Sequence, residues 1–111
     1  MTKFNNCIAI GVQDMHATAE RFCQHLGGHI TDRADSWIEV TAGPIKFYFV
    51  EDGTNDIAFS VDVVSADLTL RSLQQAGFTD IPELKEKTGE HFVRDPDGIL
   101  INLHEVGSGD S

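Results

Sequence analysis

The stretch His91–Glu105, HFVRDPDGILINLHE, reads as a strand, a tight acidic turn and a second strand. In the second strand Ile99, Ile101 and Leu103 alternate with Leu100, Asn102 and His104. Successive strand side chains point to opposite faces, so a one-residue slip would turn the whole set over. With the isoleucines and leucine packed under helices, Leu100, Asn102 and His104 emerge on the far side. Two polar groups there imply a pocket rather than a plain solvated face.

Working back, DIAFSVDV (56–63) alternates in the same way, with Ile57, Phe59, Val61 and Val63 on its apolar side. Ser65 caps a helix whose stripe is Ala66, Leu70, Leu73 and Ala76, and AGF ends it. Residues 79–81 read as a weak strand and PELKEKTGE as a polar loop. The first half says the same thing. NCIAIGV (6–12) alternates, Asp14 caps a helix running to about Leu26, and Gly27-Gly28 stops it. Met15, Ala19, Phe22 and Leu26 form that helix's stripe. Strands are expected near residues 29–32, 37–41 and 45–50, with EDGTN as the joint between halves.

Strand, helix and three strands therefore occur twice, with corresponding first-strand residues about 50 apart. The expectation is an α+β fold of two tandem βαβββ modules forming a curved mixed sheet. One domain spans 1–106, module one about 1–52 and module two about 53–106, with 107–111 a flexible tail. Ile45, Phe47 and Phe49 take the buried side of their strand, while Lys46, Tyr48 and Val50 emerge. Cys7, Ala9, Gly11, Asp56, Ala58 and Ser60 then line the floor of a cavity with small side chains.

Composition narrows the function. The chain has 111 residues, enough for a core, with 41% apolar and 23% charged residues. Eighteen acids against eight bases give a net charge of −10, which repels phosphate backbones and excludes nucleic acid as a partner. No apolar run reaches the roughly 20 residues a membrane span needs, and no signal peptide opens the chain. Two cysteines, Cys7 and Cys23, make no disulfide framework and fit a cytoplasmic address.

The doubled unit, with GVQDMHATAERFCQHLGG early and FVRDPDGILINLHE at the end, resembles the vicinal oxygen chelate superfamily over nearly the whole chain. That superfamily includes glyoxalase I, fosfomycin-resistance enzymes, extradiol dioxygenases and bleomycin-binding resistance proteins. The resemblance implies a divalent metal held on the curved face by the first strand of each repeat and the last strand of each repeat. Laid on this chain, those positions are Cys7, Asp56, Tyr48 and Asn102, with neither histidine nor glutamate among them. A thiol, one carboxylate and two weak neutral oxygens form a poor set for Mg, Mn or Fe. No cofactor and no metal are assigned. A shifted zinc trio of Glu39, His91 and His104 is the alternative if strand parity allows. Against it, His104 would simply end an edge strand and His91 sit near a loop.

The resemblance is therefore to the metal-free, ligand-binding branch, that of bleomycin-type antibiotic resistance. A small organic molecule, aromatic or cationic, is expected in a cup formed by Cys7, Trp37, Tyr48, Asp56 and Asn102. Glu39, Ser60, His91 and His104 complete the expected ligand-binding residues. Trp37 and Tyr48 can wall the pocket by stacking, or be buried in a homodimer interface. Asp62 reads as a strand-end or surface residue, and Arg94 as the partner of local acids at the DPDG turn. The rival function is a metal-dependent lyase, isomerase or dioxygenase with an atypical ligand set. No serine elbow or phosphate loop is present.

Overall fold

A computed structural model describes residues 2–106. The expected flexible tail, 107–111, lies outside the described residues. The fold is mixed α+β, two tandem βαβββ modules with an additional short helix in the second. The described residues divide into two compact units, 6–58 and 59–106, the latter also taking residues 2–5.

In the 6–58 unit, β1 (Lys3–Gly11) leads to α1 (Met15–His25), β2 (His29–Arg33), β3 (Trp37–Ala42) and β4 (Ile45–Val50). The strand order is β2-β3-β4-β1, antiparallel except for the parallel β4-β1 pair. Asp14 caps α1, its carboxylate accepting the Ala17 amide at 3.0 Å, and the Glu51 carboxylate accepts the Met15 amide at 3.0 Å. Both anions sit where unpaired N–H groups and the helix dipole favour them. Met15 and Ala19 of α1 press on Ile38, Val40 and Phe49, with the Phe22 ring edge-on to Phe49 at 4.8 Å. Leu26 does not join this stripe: it is 62% exposed because the helix stops at His25 and its φ of −124° leaves the helical track. Gly28 is needed for approach. A Cβ there would lie 2.6 Å from Val40 Cγ1.

In the second unit, β5 (Ile57–Val63), of which residues 59–63 belong here, leads to α2 (Ala66–Gln75) and β6 (Thr79–Asp80). Then come α3 (Pro82–Thr88), β7 (His91–Arg94) and β8 (Leu100–Glu105), in the strand order β5-β8-β7-β6. Ser65 caps α2 through the Leu68 amide (3.2 Å), and Glu105 accepts the Ala66 amide (2.9 Å). Val61, Val63, Val93 and Leu103 are buried with Ala66, and Leu70 and Leu73 pack on them.

Several expectations are corrected here. PELKEKTGE, expected as a loop, forms α3: Pro82 opens it and Gly89, at φ +81°, closes it by donating to the Lys85 carbonyl. None of its residues is buried, so it carries no apolar stripe to betray it. Ile57 and Phe59 are 51% and 41% exposed, because the buried cluster around α2 takes only Val61 and Val63 from β5. Ile99 and Ala76 are also exposed, one in the turn before β8 and the other at the end of α2. Leu100, expected to emerge, is buried.

Candidate functional site

In the 6–58 unit the face away from α1 is set by register. Trp37 pairs with Val50, Glu39 with Tyr48 and Thr41 with Lys46, while Ala9 and Cys7 align beside Tyr48 and Lys46. Trp37 and Tyr48 meet edge to face, ring centroids 5.4 Å apart and planes at 66°. Beside them Glu39 is only 7% exposed. The Tyr48 hydroxyl donates to Glu39 Oε2, and the Thr31 hydroxyl donates to Oε1 at 2.6 Å. Thr31 also shares a 2.8 Å hydroxyl contact with Thr41.

Thr31 owes this aim to a bulge. Ile30 pairs with Val40 and Asp32 with Glu39, leaving Thr31 as the extra residue in β2. Bulges re-aim side chains in this manner.

The electrostatics follow from the two hydroxyls. Hydrogen bonds from Thr31 and then Tyr48 stabilise the carboxylate and hold the Glu39 pKa below its ordinary value against the opposing effect of burial, with Lys46 adding the smallest lowering effect. Burial first, and then the bond to Glu39, push the Tyr48 phenol well above its ordinary value. Cys7 and Asp32 add smaller raising effects. Asp56, in the same unit, precedes β5, its carbonyl accepting the Gly11 amide at 2.9 Å.

The second unit carries a different polar group. Ser60 and Asn102 are buried and joined, Ser60 Oγ to Asn102 Oδ1 at 3.2 Å. Asn5 Nδ2 donates to Ser60 Oγ at 2.9 Å and to Asp62 Oδ1 at 2.8 Å. Asn102 Nδ2 reaches the His91 carbonyl at 3.5 Å. His91 itself pairs with Leu103, on the helix side, whereas Asn102 pairs with Phe92 on the other. The His91 ring lines a cavity of about 430 Å³ with Asp67, Lys85 and Glu105, its Nε2 3.4 Å from Asp67. His104 is half-exposed, its Nδ1 2.7 Å from Glu90. Arg94 donates to the Gly98 carbonyl at 3.0 Å, bracing the DPDG turn.

Asn5 escaped sequence reasoning because the first strand was begun three residues too late, at Asn6 rather than Lys3. The alternation that places Cys7 on the polar side extends back to Asn5. Thr31 had no such signal, since a bulge breaks the alternation that would announce it.

These side chains do not fit the metal that the resemblance implies. Ligands must be offered deprotonated. Of the positions that the resemblance implies, Asn102 in the second unit is a neutral amide already bonded to Ser60. In the 6–58 unit each Glu39 oxygen accepts a hydroxyl, and Tyr48 is held protonated. Among the described residues no three or more His, Cys, Asp and Glu side chains gather as a metal group, and His91 and His104 of the expected zinc trio stand on opposite faces of the β7–β8 ladder.

An α+β chain of two βαβββ modules carries an aromatic pair beside a buried carboxylate on a widely shared scaffold. The chain belongs to the Glyoxalase/Bleomycin resistance protein/Dioxygenase superfamily, whose model matches residues 5–103. Solved structures of similar fold include a hypothetical protein from Bacillus halodurans C-125, at TM-score 0.72 and 14% identity, covering 96% of this chain and 95% of that one. A superfamily member from Vibrio splendidus aligns at TM-score 0.61 and 13% identity, over 93% of this chain and 97% of that one. Methylmalonyl-CoA epimerase from Mycobacterium tuberculosis aligns at TM-score 0.57 and 18% identity, over 95% and 88%. A comparison with curated protein sequences finds no match. At these identities the likeness establishes the fold alone.

Proposed function

We propose that this protein binds a small aromatic or cationic organic molecule and sequesters or carries it without breaking a bond. The carrying observation is the Trp37–Tyr48 ring pair set beside the buried Glu39 carboxylate. Aromatic rings offer rigid contact area, and an ionised carboxylate adds charge complementarity. The same carboxylate is a poor general base, because its pKa is driven down rather than toward neutrality, and Tyr48 is a correspondingly poor acid. Proton-transfer chemistry would want both moved the other way. Cys7 and Asp56, in the same unit, are the further ligand contacts of this reading. A homodimer accompanies it: Phe4 and Phe59, 67% and 41% exposed, leave the second unit with apolar surface to cover.

The test is a thermal-shift panel on protein purified without chelator, with elemental analysis alongside. Benzyltrimethylammonium, benzamidinium and benzyl alcohol are the organic probes, and divalent metals the comparison. At a hundred times its Kd, a ligand adds about 2.7 kcal/mol to folding stability. The expected result is a melting point raised by organic probes and less by them in Glu39→Gln. Stoichiometric metal, or a shift with metals alone, overturns the binding-only reading.

A further inference from the structure

We infer that the Trp37–Glu39–Tyr48 corner is a quaternary-ammonium site, selecting a trimethylammonium-type group over a primary ammonium or a guanidinium. This rests on the small-molecule reading and names the ligand's charged end.

The argument concerns what Glu39 has left to give. An ionised carboxylate offers about four lone-pair positions on its two oxygens. One hydroxyl already occupies each oxygen, Thr31 at Oε1 and Tyr48 at Oε2. A guanidinium fork needs a lone pair on each oxygen in one plane, where each oxygen has already given one to a hydroxyl, and a primary ammonium must place three donors. Neither is well served by a carboxylate clamped from both sides and nearly shut from solvent. A quaternary ammonium brings no donor to satisfy. It asks only for fixed negative charge and ring faces within about 6 Å.

The rings supply the second requirement. At 66° and 5.4 Å, Trp37 and Tyr48 meet edge to face rather than as a stack, so the ring that offers its edge keeps its faces outside their mutual contact. By donating to a carboxylate, the Tyr48 hydroxyl shifts electron density into its ring, which strengthens its attraction for a cation. The clamp is built rather than incidental. The bulge in β2 exists at Thr31, and the Thr41 hydroxyl at 2.8 Å holds Thr31 in position. Lys46, across from Thr41, is the chain's own competing cation. Its influence on Glu39 is the weakest of those acting there.

Trp37 is the only tryptophan, so intrinsic fluorescence reports this corner alone. The probes are choline, its neutral carbon isostere 3,3-dimethyl-1-butanol, and ethanolamine, the primary-amine counterpart. Choline is expected to change Trp37 emission saturably, with a Kd at least ten-fold below both comparators. Glu39→Gln, with folding checked by circular dichroism, is expected to weaken choline ten-fold or more while leaving the isostere unchanged. Thr31→Val, which frees one carboxylate oxygen, is expected to narrow the preference for choline over ethanolamine. Ethanolamine binding as well as choline overturns the inference but keeps a cation site. The isostere binding as well as choline overturns it but keeps an aromatic-lined site. Silence from all three overturns it outright, and the aromatic panel above then decides separately whether any ligand-binding reading survives.

Discussion

Removing the Tyr48 hydroxyl tests the corner most directly. In Tyr48→Phe the ring, and with it the contact to Trp37, is retained, while Glu39 Oε2 loses its donor. A net hydrogen bond to a charged group is worth about 1.5–3 kcal/mol, and a buried oxygen left unpaired falls at the costly end. Glu39 keeps Thr31 on its other oxygen, so the expected loss is about 2 kcal/mol. For a chain of this length that lowers Tm by on the order of 10 °C. The pH dependence has a definite sign. The Glu39 pKa is depressed, so its contribution is present above the unfolded value of 4.5 and is lost as pH falls through the lower folded value. Tyr48→Phe raises that folded pKa, so the gap between variant and parent is widest near neutrality and closes in acid. Urea melts of the parent, Tyr48→Phe, Glu39→Gln and the double variant give a coupling energy, expected at about 1–2 kcal/mol. A Tyr48→Phe melt within about 2 °C of the parent, or a strictly additive cycle, refutes the clamp.

Tyr48 is the only tyrosine, so a near-ultraviolet tyrosinate titration reads it alone. Its midpoint is expected above the ordinary value of 10.0, falling back toward it in Glu39→Gln; the associated stability is complete below 10.0 and is lost as pH rises through the folded value. In Gly28→Ala the new Cβ meets Val40 Cγ1 at 2.6 Å with the Phe22 carbonyl oxygen at 3.2 Å, so a loss of about 1–3 kcal/mol is expected by chemical denaturation.

What the sequence made legible follows from period and punctuation. Asp14 and Ser65 announced both long helices, and alternation placed Phe49, Val63 and Leu103 in their clusters correctly. It failed where a side chain's role depends on where an element stops. Leu26, Ile57, Phe59 and Ile99 continue the apolar pattern past the end of the cover, and only packing reveals that they are exposed. It failed again where no apolar stripe exists, as in α3, although Pro82 and Gly89 marked both its ends. Among expected ligand contacts, Trp37, Glu39 and Tyr48 share one face by parity alone, whereas His91 and Asn102 stand on opposite faces of the β7–β8 ladder.

The placement of charge is the part that parity could not foretell. Had the acid been offered at a strand's open polar face, water would neutralise much of its pull on a ligand. Glu39 is instead buried, and an ionised carboxylate so placed is costly unless donors meet it. Two hydroxyls meet it, one from a facing strand residue and one from a bulge. Satisfied in this way, the carboxylate keeps its charge on the chain's own donors. A catalytic carboxylate is arranged the opposite way, short of partners and ready to take a proton. In the second unit Asn5, Ser60 and Asn102 are likewise self-sufficient, each answering another. Both polar groups are therefore complete in themselves.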